Sequence, residues 1–222
     1  MSLQLVTPPA GEPVSLAEAK LHLRVDVDDD DALISSLISA ARQAAETLTG
    51  RQLNTARWKL VLDAFPCQTI LLAKCPVQSV VSIQYLDMNG MSQALPLVDY
   101  VVDTACEPAR ITPVFGKTWP PTLPQIGAVT ITFDAGYGSA SAVPEGLKSW
   151  IKLRVGSLYA HREEMSILMR GRIDPLPFVD GLLDPYRVAL ASGYSLRNAF
   201  RPVMRGASAP PSSVIPARAL DN

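Results

Sequence analysis

An acidic run is the first group of residues whose types and spacing could do chemistry. It consists of Asp26, Asp28, Asp29, Asp30 and Asp31. Such carboxylates could hold calcium, but an EF-hand loop starting at Asp26 needs glycine at its sixth position and glutamate at its twelfth. Those positions are Asp31 and Leu37. We therefore interpret the run as a helix start, where acids offset the positive end of the helix dipole and can face a basic neighbouring subunit.

A second group could move protons. His161 precedes Arg162, Glu163 and Glu164, and histidine and glutamate side chains serve as general acids and bases. A hydrolase using His161, Glu163 and Glu164 is the less favoured hypothesis, because the chain has neither a Gly-x-Ser-x-Gly elbow nor a His-Glu-x-x-His motif. Charged residues leaving a helix C-terminus are also ordinary.

The three cysteines predict neither a disulfide framework nor a zinc site. Cys67, Cys75 and Cys106 are odd in number, and their spacing matches no zinc pattern. We expect free thiols in a reducing compartment. We expect no metal and no cofactor.

Two helices are predicted near the start of the chain. Ser15 and Glu18 fit a capping box, and the helix that they open should end between His22 and Arg24. A second helix should follow the acidic run and end at Gly50, a natural C-terminal residue. Its apolar positions recur at spacings of three and four; they are Leu33, Ile34, Leu37, Ile38, Ala41, Ala45 and Leu48.

Residues 53–138 have the pattern of β-structure. Apolar and polar residues alternate in three segments, at Arg57–Leu62, Val81–Tyr85 and Val129–Phe133. Asn89-Gly90 is a strong hairpin signal. Between these strands, prolines predict a loop; they are Pro113, Pro120, Pro121 and Pro124. The pattern predicts an antiparallel sheet with one buried face.

Helix is predicted again after the β zone. Pro144 suits a first-turn position, and apolar residues from Leu147 to Tyr159 follow at helical spacing. We predict a mobile connection over Met165–Arg172, carrying Arg170 and Arg172, and a short helix over Pro177–Leu183. The last segment mixes arginines with large apolar residues and has proline-rich ends, so we expect it to order only on a partner.

The composition fits a folded α+β protein and excludes some classes. Among 222 residues, 48% are hydrophobic and 18% charged, and the net charge of −1 argues against a polycationic nucleic-acid binder. We expect no membrane helix, because no run of 18 apolar residues occurs, and residues 1–13 do not resemble a secretory signal. We predict a helical core with an inserted antiparallel β-rich segment: residues 1–52 and 141–188 form the core, 53–140 the insertion and 189–222 an extended tail.

Motifs spread over residues 3–188 resemble the head–tail connector proteins of tailed bacteriophages and gene-transfer particles. Their order and spacing carry the resemblance more than any single motif does. They are Leu5–Pro9, Glu12–Val25, Asp28–Ile34, Ala45–Arg51, Phe133–Gly138, Val143–Pro144, Leu158–Glu163 and Leu182–Arg187.

The resemblance implies a structural virion protein and not an enzyme. Such adaptors form a ring, typically of twelve copies, beneath the portal protein at the virion neck. The ring extends the channel for double-stranded DNA, without sequence-specific binding, and offers a surface to the next head-closure or tail protein. Assembly would take place in the bacterial host cytoplasm. A head-closure or tail-terminator protein is the alternative within the same class.

Two sets of contact residues follow as hypotheses. The resemblance implies that the C-terminal segment reaches the portal, through Tyr194, Leu196, Arg197, Phe200, Arg201, Val203, Met204 and Arg205. Opposed charges suggest contacts between subunits, with Asp28, Asp29, Asp30 and Asp31 as the acidic candidates and Arg170 and Arg172 as the basic ones.

Overall fold

The computed structural model describes residues 1–67, 69–161 and 181–188. It confirms the predicted α+β class. The helices are α1 (Leu16–Leu23), α2 (Asp31–Thr49) and α3 (Glu145–Ala160). The strands are β1 (Ser2–Thr7), β2 (Ala56–Leu62), β3 (Ile70–Leu72), β4 (Val77–Leu86), β5 (Ser92–Ala94), β6 (Tyr100–Asp103), β7 (Ala109–Pro113) and β8 (Val129–Ala135).

Local signals set the ends of the first two helices, as the sequence predicts. The Ser15 hydroxyl accepts from the Glu18 amide at 3.2 Å, and the Glu18 carboxylate accepts from the Ser15 amide at 2.7 Å. This reciprocal pair is a complete capping box. Arg24 ends α1 in the left-handed region, and Gly50 ends α2 at φ +75°.

The helices enclose one apolar core, to which α2 contributes Ile34, Ile38, Ala41 and Ala45. Leu48, which we predicted to belong to the same stripe, is instead 48% exposed. The reason is that the chain after Gly50 folds back over the other side of the last turns of α2. That side carries polar residues, and they are buried there; they are Arg42, Glu46 and Thr49.

Two antiparallel sheets enclose a second core. The larger sheet has the order β1-β2-β8-β4-β5, and the smaller has the order β3-β7-β6. Leu60 of β2 lies opposite Ile131 of β8 in the larger sheet, and both belong to one apolar cluster with Leu72 and Ile111 of the smaller sheet. The two sheets therefore share one buried interior. Gly90, at φ +77°, lies in the predicted hairpin between β4 and β5.

Irregular pairing overturns one predicted strand face. Val81, Ile83 and Tyr85 were expected on the buried side, but Val81 is 45% exposed. The register between β4 and β8 shifts between Val80 and Ser82. Such a bulge moves the residues before it to the opposite face, so Val80 packs against the core in place of Val81.

Other elements also differ from the prediction. Strands β1, β3, β6 and β7 were not predicted, and Pro113 lies at the end of β7 and not in a loop. It is tolerated there because it lies opposite Tyr100, beyond the part of β7 that pairs with β3. Pro144 lies one residue before α3 and not in its first turn. Asp184–Tyr186 form a single 3-10 turn. Residues 162–180 lie outside the described residues, and with them lie the predicted mobile connection over 165–172 and most of the predicted helix over 177–183.

The close approach of Gly136 to the backbone of Asn54 generates a first prediction. Its φ is +131°, and an added Cβ would lie 2.6 Å from the Asn54 carbonyl oxygen. Gly136→Ala should therefore lower the free energy of unfolding by at least about 2 kcal/mol in urea titrations. Gly90→Ala is the matched control. Gly90 also has positive φ, but a Cβ added there would have no atom within 4 Å. Gly90→Ala should therefore lower the free energy of unfolding by only about 1 kcal/mol. Equal losses would contradict the steric argument.

The capping box generates a second prediction. Ser15→Ala should lower the free energy of unfolding by about 1 kcal/mol at pH 7. Ser36→Ala is the control, since the Ser36 hydroxyl donates only to the Leu33 carbonyl inside α2.

The same box should make stability depend on pH. The hydrogen bond from the Ser15 amide holds the pKa of Glu18 below its usual value of 4.5. The contribution of the carboxylate is therefore present above pH 4.5 and is lost as the pH falls through the lowered pKa. The stability difference between wild type and Glu18→Gln should disappear over that window. A difference independent of pH would contradict this assignment.

Candidate assembly surfaces

The acidic run is largely engaged within the chain. Lys20 of α1 donates to Asp28 at 2.5 Å and to Asp31 at 2.7 Å. The Tyr159 hydroxyl of α3 donates to Asp30. These bonds tie the three helices together at the start of α2. The bond from Lys20 also lowers the pKa of Asp28.

The predicted role of this run as a subunit contact stays a prediction. Asp29 is exposed, so a carboxylate is available at the surface of the turn.

Within the described residues, no group of three or more histidine, cysteine, aspartate or glutamate side chains is placed to hold a metal ion. Among the helices of the described part, none is long and apolar enough to cross a membrane.

Arg51 is buried and joins the helical core to the β-structure. Its guanidinium donates through Nη1 and Nη2 to the two carboxylate oxygens of Glu107, and the bond from Nη1 measures 2.7 Å. Nε donates to the Tyr186 carbonyl at 2.6 Å. The guanidinium carbon also lies 5.9 Å from the centre of the Tyr137 ring, within cation–π range. We call Arg51, Glu107, Tyr137 and Tyr186 the Arg51 junction.

A second polar network continues from α2 toward β2. Arg42 donates to Glu12 at 2.7 Å and to Glu46 at 2.8 Å. Glu46 also accepts from the Gln52 side chain at 2.7 Å, and Gln52 in turn accepts from the Trp58 indole at 3.1 Å. Burial raises the pKa of Glu46, against the opposing effects of the hydrogen bond from the Leu53 amide and of the charges of Arg42 and Lys74. The network fixes how the chain leaves α2.

The β-structure exposes two apolar edges. We call Leu97, Val98, Val101 and Phe115 the β6 edge surface; their exposed fractions are 72%, 75%, 53% and 104%. Leu5 and Val6 of β1 form the β1 edge surface and are 48% and 52% exposed. Sequence reasoning missed both surfaces, because residue type alone does not distinguish an exposed leucine, valine or phenylalanine from a core residue.

The remaining predicted site residues fall mainly outside the described part of the chain. These are Glu163, Glu164, Arg170, Arg172 and the proposed portal-binding residues from Tyr194 to Arg205. His161 follows α3 and is exposed. The hypothesis that it acts together with Glu163 and Glu164 thus stays a prediction.

Comparison with known proteins gives one family match and several matches to solved structures. Residues 13–92 match the model of the phage gp6-like head-tail connector protein family. This stretch includes the capping box, the acidic run and β2 to β4. Among curated proteins, none matches the chain.

Solved structures match over a longer range. A chain in the neck of an empty gene transfer agent particle, computed with C6 symmetry, is 28% identical, with a TM-score of 0.71. A chain in the virion of the native gene transfer agent particle is 27% identical, with a TM-score of 0.72. A third, in the native neck computed with C12 symmetry, is 28% identical, with a TM-score of 0.69. Each match covers 87% of this chain and 99% of the other.

The predicted resemblance to head–tail connector proteins is therefore confirmed. Two independent likenesses, one to the connector family and one to neck chains of a phage-like particle, support a structural connector role at a virion neck.

The Arg51 junction generates a third prediction. Arg51→Met should leave Glu107 without its partner and lower the free energy of unfolding by about 2 kcal/mol, since hydrogen bonds to charged groups contribute roughly that much. Arg51→Lys should not restore it, since an ammonium cannot reproduce the bidentate geometry. The control is Arg57→Met, which removes an exposed bidentate pair with Asp134 and should change stability little. Urea unfolding measures all three. Full rescue by lysine would show that charge alone matters at Arg51.

Proposed function

We propose that this chain is a head–tail adaptor of a tailed phage or gene-transfer particle. Copies form a ring beneath the portal protein, extend the DNA channel and present a docking surface to the next head-closure or tail protein. The observation that carries the proposal is the fold match to chains of gene transfer agent necks and virion, which covers 99% of the length of each chain at 27–28% identity. The C6 and C12 symmetries of those necks support a closed ring of identical copies.

The proposed action is binding and channel geometry without bond chemistry. A net charge of −1 favours this role, because a strongly basic bore would grip DNA phosphates and slow the passage of the duplex. Purified protein should accordingly show no tight, salt-sensitive binding to duplex DNA. We place the protein at the virion neck, after assembly in the host cytoplasm.

The C-terminal segment is the proposed portal contact. From Arg187 onward the chain carries five arginines against one acid, Asp221. Its large apolar residues would anchor the segment while the arginines confer charge complementarity. Removal of residues 192–222 should abolish co-purification of the portal protein while leaving the far-ultraviolet spectrum of the remaining chain close to that of wild type. Unchanged portal binding after this deletion would overturn the tail assignment.

The experiment that tests the adaptor role is a tagged pull-down from producing cells, followed by negative-stain electron microscopy. Twelve copies of 23.9 kDa would form a ring of about 287 kDa. We expect rings attached to portals, or capsids labelled at one vertex. Small particles without capsid or portal proteins would contradict the proposal. In that case, loss of an enzymatic activity in His161→Ala would favour the hydrolase hypothesis.

Position within the particle separates the adaptor from the alternative, a head-closure or tail-terminator protein. Gold label on the tag should lie directly against the portal for an adaptor. Label that is separated from the portal by another ring would favour the alternative.

A further inference from the structure

We propose that successive copies in the ring meet through the two apolar edges, with the β1 edge surface of one copy against the β6 edge surface of the next. This inference rests on the proposed function, since it assigns the contact that closes the ring. The occupant of each surface is a second copy of this chain.

The β6 edge surface is held in place before any partner arrives. The Val114 amide donates to the Asp99 carbonyl at 3.0 Å, and the Lys117 amide donates to the Val114 carbonyl at 2.9 Å. The Lys117 ammonium also pairs with the Asp99 carboxylate. These bonds fix the turn carrying Phe115 against the 3-10 turn Leu97–Asp99. A backbone that is already fixed loses little further conformational entropy on binding.

Strands β6 and β1 each have one side that no other described strand pairs with. Among the described strands, β6 pairs only with β7, and β1 pairs only with β2. An edge strand with exposed apolar side chains invites further pairing, and isolated proteins usually protect such edges with charge, proline or bulges. β1 has a register shift between Leu5 and Thr7, but Leu5 and Val6 still present apolar area there. An assembled ring would bury both edges.

The strand order separates the start of the β6 edge surface from the β1 edge surface. β1 is one edge of the larger sheet, and β5 is the other. The chain continues from β5 through Pro96 and the Leu97–Asp99 turn directly into β6. The β6 edge surface therefore begins on the β5 side, four strand positions away from β1.

Ring symmetry requires such an arrangement. Neighbouring copies in a closed ring meet through two different patches. With C12 or C6 symmetry, successive copies are rotated by about 30° or 60°, so the directions from one copy to its two neighbours are about 150° or 120° apart, and the two patches must lie on different sides of the copy. A portal or tail protein would need only one of the two surfaces, whereas a second copy accounts for both.

The charges beside the β6 edge are neutralised within the chain. Besides the Lys117–Asp99 pair, Arg110 donates to Asp103 at 2.6 Å. That bond is the main cause that lowers the pKa of Asp103 to about 2. The contact should therefore be apolar in character, and rings should persist in high salt.

Photo-crosslinking in the intact particle tests this contact. A benzophenone amino acid replaces Phe115 in the full chain, producing cells are irradiated, and particles are isolated. We expect crosslinked dimers of this chain, with the linked peptide containing residues 2–7. The same probe in place of Leu21, which is 82% exposed on α1, should give at least tenfold less of that product. Crosslinks from position 115 to another protein, or to the acidic run of a second copy, would overturn the proposal.

Charge substitution gives a second readout. Phe115→Glu and Leu5→Glu should each reduce incorporation into particles at least tenfold while retaining the cooperative unfolding of wild type, and Leu21→Glu should incorporate normally. Normal incorporation of both edge variants would overturn the contact. Absence of the wild-type chain from particle necks would instead refute the adaptor role, so the two failures are distinguishable.

Discussion

The buried guanidinium of Arg51 bonds to the β-structure and to the segment after α3 at once, and so constrains how the β-structure sits on the helical core. A buried charge is tolerated only when it is paired and its donors are satisfied. Arg51 meets this requirement with a carboxylate from the β6–β7 connection and a carbonyl from the segment after α3. Because the guanidinium is planar and its donors have fixed directions, these partners must approach from defined sides. An apolar contact of the same size would hold them together without fixing their directions.

Polar bonds recur where the two apolar cores meet. The helical core and the β core are separate clusters, and the chain that joins them runs past Glu46, Gln52 and Trp58. The bonds among these three side chains satisfy groups that burial would otherwise penalise. Because these bonds are directional, they constrain the angle between the two cores. For a ring subunit this angle matters, since a small error in each copy would prevent closure.

Local signals predicted what local bonds determine. The capping box, the Gly50 terminus, the Asn89-Gly90 hairpin and the alternating strands β2 and β8 were all readable from neighbouring residues. β3 and β6 were missed because strands of three or four residues are too short to show an alternation of apolar and polar residues. Val81 was assigned to the wrong face because the bulge arises from the pairing of β4 with β8 and leaves no signal in the sequence of β4 alone. The acidic run was predicted to face a neighbour, yet its partners include Tyr159, which lies 129 residues from Asp30. No pattern among neighbouring residues predicts the hydrogen bond between Tyr159 and Asp30.

The β1 and β6 edge surfaces were the least predictable part of the structure. The reason is that a contact surface and a catalytic site place different demands on residue type. A catalytic site needs particular residue types, so its motifs are visible in sequence. A ring contact built on apolar edges needs only shape and apolar character, and one aliphatic residue can replace another there. The fold likeness at 27–28% identity agrees with such a role: nearly the whole neck chain is matched while most side chains differ. A ring subunit would need to keep the positions of its edges and the angle between its cores, and the bonds of the Arg51 junction and of Glu46, Gln52 and Trp58 lie where those cores meet.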